Sequence, residues 1–221
     1  MKLSRPVAGV IFDLDGVLLD TEAFYTEVTQ EICGAYGKVF DWSIKRNMIG
    51  RPSLESAQYL VEALSLPIAA EEYLERRGTR LEELFAGSRE QPGAEAFVRA
   101  LAARRIPIAV ATSSEKRLFE LKTGLHGDWF GCFDAVVVGD DPRVKAGKPA
   151  PDIFLVAAAD LGLEPASCVV FEDAPAGLQA ARAAGMQVVA LPDPQMDRAP
   201  YAAADLIIES FTNITPDDLG L

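Results

Sequence analysis

The sequence predicts an α/β protein in which a doubly wound parallel sheet carries an all-helical insert. Short apolar runs rich in Val, Ile or Ala, with little alternation, are typical of strands that are buried on both faces. Ala- and Leu-rich segments with helical spacing lie between these runs. Strands that alternate with helices imply a parallel sheet covered on both sides. A long interval without a convincing strand follows the first run, and it predicts the insert.

The strands and helices of the sheet follow from these runs. The predicted strands are 7–14, 106–112, 135–139, 168–172, 187–191 and 206–208. The clearest helical segments between them are 94–103, 152–161 and 176–184. In an open parallel sheet, ligands bind at the carboxyl ends of the strands, so the residues that follow each run are the candidates for chemistry.

The interval between residues 20 and 90 shows helical patterns at 22–36, 53–64 and 71–85, separated by Gly and Pro. We therefore predict a helical domain, 20–90, inserted into an α/β core that consists of 1–19 and 91–221. The segments 19–20 and 88–93 are expected to act as hinges. Trp42 is expected in the core of the helical domain.

The composition excludes several classes of partner. The 221-residue chain has a formal net charge of −12, which disfavours binding to nucleic-acid backbone or to an anionic membrane. No apolar run approaches the ~20 residues of a membrane span. Cys33, Cys132 and Cys168 are scattered, which indicates reduced thiols in a cytoplasmic protein. The oligomeric state stays open, with a monomer slightly favoured.

Two pairs of acidic residues stand where predicted strands end. Asp13 and Asp15 are two apart, so they point to the same side of an extended chain and would repel each other unless a cation binds between them. Glu172 and Asp173 end the run 168–172. If the two pairs face each other, their oxygen ligands suit Mg²⁺ rather than zinc. The alternatives are a turn at Asp15-Gly16 and a helix N-cap at Asp173.

Hydroxyl and ammonium groups follow two other strands. Thr112, Ser113 and Ser114 end the run 106–112, where hydroxyls and helix-terminal amides could bind phosphate or simply cap the next helix. Lys148 stands between Gly147 and Pro149, where a fixed ammonium could neutralise phosphate and the carboxylates. Lys145 is interpreted as a solvated lysine. The order of these groups along successive strands is more informative than any one of them.

The motifs resemble those of the haloacid dehalogenase superfamily of phosphohydrolases. D-L-D-G-V-L-L-D-T-E resembles the first motif of that family, T-S-S the second, G-K-P-A-P-D the third and F-E-D-A-P-A-G the fourth. The helical insert resembles the family's cap domain, and the implied core is a Rossmann-like sheet. Within the family, Q-E-I-C, H-G-D-W-F and G-D-D-P-R-V-K-A-G-K-P-A-P-D-I-F-L are most similar to the pseudouridine-5'-phosphatase group.

The resemblance implies a Mg²⁺-dependent hydrolysis of small phosphate monoesters through an aspartyl-phosphate. By this resemblance Asp13 is the nucleophile, and Asp15 is the acid and base. The metal ligands would be Asp13, Asp173 and the main chain of Asp15, and Glu172 either binds the metal or supports its ligands. The implied phosphate-binding residues are Thr112, Ser113 and Lys148.

The leaving group would be recognised by the cap. Glu22, Lys45, Arg46 and Arg51 are the candidates, and the alternative for each is a solvated surface residue. A sugar phosphomutase similar to β-phosphoglucomutase is the main alternative, but Glu115 and Ser53 stand where that pattern has Lys and Arg. A non-catalytic binding module on the same fold is the other alternative, and such a protein would lack Asp13 or Asp15.

Overall fold

The computed structural model of the protein describes residues 3–49 and 53–221. The chain divides into two compact units, one formed by Met1–Asp20 with Ser88–Leu221 and the other by Thr21–Gly87. The first is an α/β unit and the second is a helical unit. The predicted helical domain, 20–90, is slightly wider than the helical unit at both ends.

The α/β unit is built on a parallel sheet, as the sequence predicts. The strands in chain order are β1 Gly9–Phe12, β2 Leu19–Asp20, β3 Arg89–Glu90, β4 Ile108–Ala111, β5 Ala135–Val137, β6 Cys168–Glu172, β7 Gln187–Ala190 and β8 Leu206–Ile207. Six of them form one parallel sheet in the order β5-β4-β1-β6-β7-β8. All six predicted strands are present, most of them shorter at the ends, and the α/β fold class is confirmed.

Helices fill the intervals between the strands. They are α1 Glu22–Gly34, α2 Trp42–Lys45, α3 Ser53–Leu64, α4 Ala70–Phe85, α5 Ala94–Ala103, α6 Lys116–Thr123, α7 Gly127–Phe130, α8 Asp152–Asp160 and α9 Pro175–Ala183. Short 3₁₀ turns occur at Gly124–His126, Pro165–Ser167, Ala199–Tyr201, Phe211–Asn213 and Pro216–Leu219. Within the described ranges, no helix has both the length and the apolar character needed to cross a bilayer.

The central strand β1 is buried on both faces of the sheet. Its alternate side chains point to opposite faces, so Phe12 packs in one core with Phe97 of α5, while Ile11 packs in a second core with Phe154 of α8 and Leu178 of α9. Burying one such side chain contributes about 1.5–3 kcal/mol. Because helices cover both faces, polar side chains of the central strands are accommodated at the strand ends.

A short antiparallel ladder joins the two points at which the chain leaves and re-enters the α/β unit. β2 pairs with β3 through Leu19 with Glu90 and Asp20 with Arg89. The side-chain amide of Gln91 also donates to the carbonyl oxygen of Gly16 at 3.1 Å. The sequence did not predict this ladder, because strands of two residues have no periodicity to detect. It ties the end of the insert to the loop that follows β1.

The helical unit has a core of its own. α1, α3 and α4 pack together around Cys33, Leu60 and Tyr73, and the hydroxyls of Thr29 and Tyr73 lie 2.8 Å apart. The expectation that Trp42 belongs to this core is wrong. Trp42 is only partly buried, and α2 contributes no buried residue.

Candidate active site

Three neighbouring strands bring most of the predicted site residues to one edge of the sheet. Asp13 follows β1, and its main-chain N–H donates to the carbonyl of Phe171 in β6 at 3.0 Å. Thr112 follows β4, while Glu172 ends β6 and Asp173 follows it. Since β4, β1 and β6 are adjacent and parallel, their carboxyl ends meet at the same edge.

A lysine joins two of these carboxylates. The ammonium of Lys148 donates to Asp13 Oδ1 at 2.6 Å and to Glu172 Oε1 at 2.5 Å. The side chain of Lys148 is 9% exposed, and its Nζ lies 4.9 Å from the ring centroid of Phe154. Charge-assisted hydrogen bonds in such a buried setting are strong and fix the positions of their partners.

The loop before α8 brings Lys148, and not Lys145, to the carboxylates. Asp152, the first residue of α8, accepts from the main-chain N–H groups of Lys145 at 2.9 Å and Ala146 at 3.1 Å. The exposed Lys145 ammonium instead donates to the carbonyl oxygen of Pro142. The side chain of Asp152 therefore shapes the loop that directs Lys148 into the site.

The site carries an excess of buried negative charge. Burial raises the pKa of Asp13 from 3.8 to about 7; Lys148 opposes the shift, whereas the charges of Glu172 and Asp15 add to it. Burial lowers the pKa of Lys148, but the carboxylates of Asp13 and Glu172 outweigh this effect and leave the pKa above its usual range. A bound cation would favour the ionised form of Asp13.

Three carboxylates are placed to hold such a cation. Oxygen atoms of Asp13, Glu172 and Asp173 all lie within 4.8 Å of one another. An all-oxygen set of this kind fits a hard divalent cation. Glu172 already accepts from Lys148 through Oε1 and from the N–H of Ala174 through Oε2 at 3.0 Å, so both of its oxygens are engaged.

The loop after β1 packs directly against Asp173. Gly16 has φ of +76°, in the left-handed region, and a Cβ at this position would overlap the Asp173 carboxylate. This close approach brings the Asp15-Gly16 main chain beside the acidic cluster. The N-cap interpretation of Asp173 is wrong, because Ala174 is the N-cap residue of α9.

Asp15 is held by a second group of side chains. Lys122 donates to Asp15 Oδ1 at 2.6 Å, and the hydroxyl of Ser114 donates to Asp15 Oδ2 at 2.9 Å. Lys122 also donates to the Ser114 hydroxyl at 2.8 Å. Both oxygens of Asp15 therefore act as acceptors.

The hydroxyls after β4 occupy different surroundings. Thr112 is fully buried, and its Oγ1 accepts from the N–H of Ser114 at 3.0 Å. Ser113 is exposed, whereas Ser114 is the buried serine that binds Asp15. The turn is thus fixed by Thr112, and the interactions of Thr112 and Ser113 with phosphate stay predictions.

Of the predicted cap residues, the structure describes three. The carboxylate of Glu22 lies 3.6 Å from the ammonium of Lys45, which also donates to the hydroxyl of Thr26 at 2.9 Å. Arg46 is exposed on the same unit. Arg51 lies outside the described residues. Glu22 and Lys45 therefore form one polar cluster within the helical unit.

Comparison with known families supports this arrangement of motifs. The family model described as haloacid dehalogenase-like hydrolase matches residues 7–185, which is most of the chain. The chain belongs to the haloacid dehalogenase-like hydrolases. The matched segment includes the ends of β1, β4 and β6, where the candidate site residues lie.

Individual members of the haloacid dehalogenase-like family align over nearly the whole chain. (DL)-glycerol-3-phosphatase 2 of Arabidopsis thaliana is 45% identical over 220 residues, covering 97% of this chain and 92% of that protein. A protein named probable pseudouridine-5'-phosphatase, from Drosophila melanogaster, is 41% identical over 223 residues, covering 100% of this chain and 96% of that protein. The relatives thus carry phosphatase names with different substrates.

A solved member of the family has the same fold. The crystal structure of a haloacid dehalogenase family hydrolase from Deinococcus radiodurans, with bound phosphate and sodium, aligns with a TM-score of 0.79 and 28% identity. The alignment covers 94% of this chain and 93% of that chain. This similarity includes both the sheet and the helical insert.

Sequence reasoning missed two polar residues around the site, Lys122 and Tyr201. One sequence signal could have identified Lys122, because it lies beside Thr123 on the buried side of α6. Ser114 was noted only as part of a group of hydroxyls. Tyr201, whose hydroxyl binds the main chain of Asp173, lies in a 3₁₀ turn with no recognisable pattern.

Proposed function

We propose that this protein is a Mg²⁺-dependent phosphatase that hydrolyses phosphate monoesters of small primary alcohols through an aspartyl-phosphate on Asp13. Membership of the haloacid dehalogenase-like hydrolases and the phosphatase names of its relatives support a phosphoric monoester hydrolase. The observation that carries the mechanism is the buried group in which Lys148 joins Asp13 to Glu172 beside Asp173.

In the first step, a carboxylate oxygen of Asp13 attacks phosphorus while the bond from phosphorus to the leaving oxygen breaks. Asp15 donates its proton to that leaving oxygen, so the product departs as a neutral alcohol. Lys148 keeps Asp13 in place and neutralises charge on the transferring phosphoryl group. Thr112 and Ser113 would supply further hydrogen bonds to its oxygens.

In the second step, water replaces Asp13 on phosphorus. Asp15, now a carboxylate, accepts a proton from the attacking water, and the bond between phosphorus and the Asp13 oxygen breaks. Inorganic phosphate and the free carboxylate of Asp13 are formed.

Asp13, Asp173 and the main-chain carbonyl of Asp15 are the proposed ligands of Mg²⁺. When bound, Mg²⁺ supplies positive charge that offsets repulsion between the nucleophile and the anionic substrate. Glu172 is assigned to the support of Lys148 and not to direct coordination, because both of its oxygens already accept hydrogen bonds from the protein.

The names of the relatives narrow the substrate class. Glycerol 3-phosphate and pseudouridine 5'-phosphate are both esters of a primary alcohol, which is a poor leaving group and requires protonation. We assign recognition of the alcohol to the helical unit as a cap, with Glu22 and Arg51 as contacts.

The test is a comparison of kcat/KM for glycerol 3-phosphate, pseudouridine 5'-phosphate, uridine 5'-phosphate and several sugar phosphates, with Mg²⁺ and with EDTA. We expect Mg²⁺-dependent release of phosphate with one primary-alcohol ester strongly preferred. Asp13→Asn should abolish turnover, whereas the exposed Asp128→Asn should retain it. Conversion of β-glucose 1-phosphate to glucose 6-phosphate without phosphate release would indicate a mutase, and no turnover would indicate a binding module.

A further inference from the structure

Lys122 is a buried lysine for which the reaction described above has no role. It lies on α6, and its side chain is 1% exposed. A buried ammonium is unfavourable unless it is paired and hydrogen-bonded. Its ammonium donates to Asp15 at 2.6 Å and to Ser114 at 2.8 Å, so its charge is directed at the proposed acid and base.

The hydrogen bonds between Lys122, Ser114 and Asp15 form a closed triangle. The Ser114 hydroxyl accepts from Lys122 and donates to Asp15 Oδ2 at 2.9 Å, while Lys122 donates to Asp15 Oδ1. The main-chain N–H of Ser114 is in turn fixed by Thr112. Because the two oxygens of Asp15 are held by two different donors, the rotation of its carboxyl group is determined.

We propose that Lys122 is a positioning residue that, together with Ser114, orients the Asp15 carboxyl group for proton transfer to the leaving group and from water. This inference rests on the proposed function. It gives a role in that function to Lys122, which lies outside the four motifs that resemble those of the family. Lys122 acts through Asp15 and does not contact the substrate. Its removal therefore affects the steps in which Asp15 moves a proton more than the binding of phosphate.

Two substrates with different leaving groups separate these effects. In the phosphorylation step, the proton of Asp15 goes to the leaving oxygen as its bond to phosphorus breaks. The alkoxide of glycerol requires that proton, whereas p-nitrophenolate is a weak base that leaves with little help. The ratio of kcat/KM for glycerol 3-phosphate to kcat/KM for p-nitrophenyl phosphate therefore reports the contribution of Asp15.

The first variant is Lys122→Met, which keeps the length of the side chain and removes its charge. We expect the kcat/KM ratio to fall by about 30-fold or more, which is part of the roughly 10²–10⁴-fold that general acid catalysis usually contributes. Ser114→Ala should shift the ratio in the same direction by a smaller factor. Lys116→Met, at an exposed lysine on the same helix, should leave the ratio at the wild-type value.

A double-mutant cycle shows whether Lys122 acts through Asp15. In the Asp15→Asn background, Lys122→Met should cause no further fall in the ratio, because Asn at this position cannot donate the catalytic proton. An equal loss on both substrates, or the same further loss in that background, would overturn the proposal and assign Lys122 to the general architecture of the site.

A crystal structure of Lys122→Met provides a readout that does not depend on activity. We expect the Asp15 carboxyl group to turn away from its wild-type orientation, and an unchanged orientation would contradict the proposal. The proposed function is judged separately, by whether wild-type turnover of p-nitrophenyl phosphate with Mg²⁺ is abolished by EDTA. Failure of that function and failure of the role of Lys122 are therefore distinguishable.

Discussion

The hydroxyl of Tyr201 donates a hydrogen bond of 2.6 Å to the main-chain carbonyl oxygen of Asp173. Tyr201 is 1% exposed, and burial together with the negative charges of Asp173 and Glu172 raises its pKa above the usual range. The phenol therefore stays protonated and remains a donor. Its effect is to hold the backbone that carries the Asp173 carboxylate.

We expect Tyr201→Phe to weaken Mg²⁺ binding by about 10-fold, the lower end of the effect of groups that orient metal ligands. Phe keeps the buried ring but leaves the Asp173 carbonyl without this donor, so the carboxylate is held less firmly. The measurement is the Mg²⁺ concentration that gives half-maximal phosphatase activity, checked by calorimetric titration of the free protein.

Tyr36→Phe is the matched control for this change. The Tyr36 hydroxyl accepts from Arg76 at 2.9 Å in the helical unit, so this variant also loses a tyrosine hydrogen bond, but one on the helical unit. Its Mg²⁺ half-saturation should equal that of the wild type. If Tyr201→Phe also matched the wild type, Tyr201 would have no part in positioning Asp173.

Asp173→Asn and Glu172→Gln should affect different properties. Asp173 is a proposed ligand, so Asp173→Asn should raise the Mg²⁺ half-saturation by about 10- to 100-fold. Glu172 is hydrogen-bonded to Lys148 and to the N–H of Ala174, so Glu172→Gln should chiefly lower kcat while the Mg²⁺ half-saturation changes by less than about 3-fold. Magnesium titrations of kcat for both variants provide the comparison.

A large rise in Mg²⁺ half-saturation for Glu172→Gln would show that Glu172 coordinates the metal directly. An unchanged value for Asp173→Asn would place the metal elsewhere. The two outcomes are independent, so the pair of variants distinguishes a ligand from a residue that supports its neighbours.

The buried carboxyl group of Asp13 should make the metal-free protein less stable as the pH rises. The pKa of Asp13 is about 7 in the folded protein, whereas its ordinary value is 3.8. At a pH between these two values, the folded state holds a proton that the unfolded state has lost. The full contribution of this carboxyl group to stability is present below pH 3.8 and is lost as the pH rises through 7. Asn has no proton to lose, so Asp13→Asn does not show this decline. The free energy of unfolding of Asp13→Asn, relative to that of the wild type, should therefore increase by about 2 kcal/mol between pH 5 and pH 8.

Urea unfolding in EDTA at both pH values measures this difference. Adding Mg²⁺ at pH 8 should reverse the order, because a cation that binds only the folded wild type stabilises it by mass action. A difference that stays constant between pH 5 and pH 8 would mean that Asp13 is ionised in the metal-free fold throughout this range.

The sheet was predictable from the sequence because central strands buried on both faces are continuous apolar runs. β6 matches its predicted bounds, and β1 is shorter than predicted at both ends. The ladder of β2 and β3 could not be predicted, because two residues carry no period. Trp42 was misplaced because it begins α2, a short helix that contributes no buried residue.

The candidate site was predictable to the extent that its residues follow strand ends. Asp13, Lys148, Glu172 and Asp173 come together as the order of the motifs indicated. The contacts of Lys122 depend on how α6 packs, and a lysine on a helix is by itself usually a solvated residue. Tertiary packing, and not local sequence, brings it to Asp15.

Gly177 is the position at which a favourable helix substitution should be harmful. Gly177 lies in α9, and a Cβ there would overlap the carboxylate of Glu172. Replacing Gly by Ala within a helix normally stabilises it by about 0.5–1 kcal/mol. We expect Gly177→Ala to lower stability instead and to reduce kcat about 10-fold or more, because Glu172 must move and its contact with Lys148 is disturbed.

Gly78→Ala is the control, because Gly78 lies within α4 and a Cβ there would meet no atom within 4 Å. This variant should raise the free energy of unfolding by about 0.5–1 kcal/mol and leave kcat at the wild-type value. Urea unfolding and phosphatase kinetics of both variants give the comparison. If Gly177→Ala were also stabilising and fully active, the Glu172 carboxylate would not be confined against α9, and its proposed role in holding Lys148 would be lost.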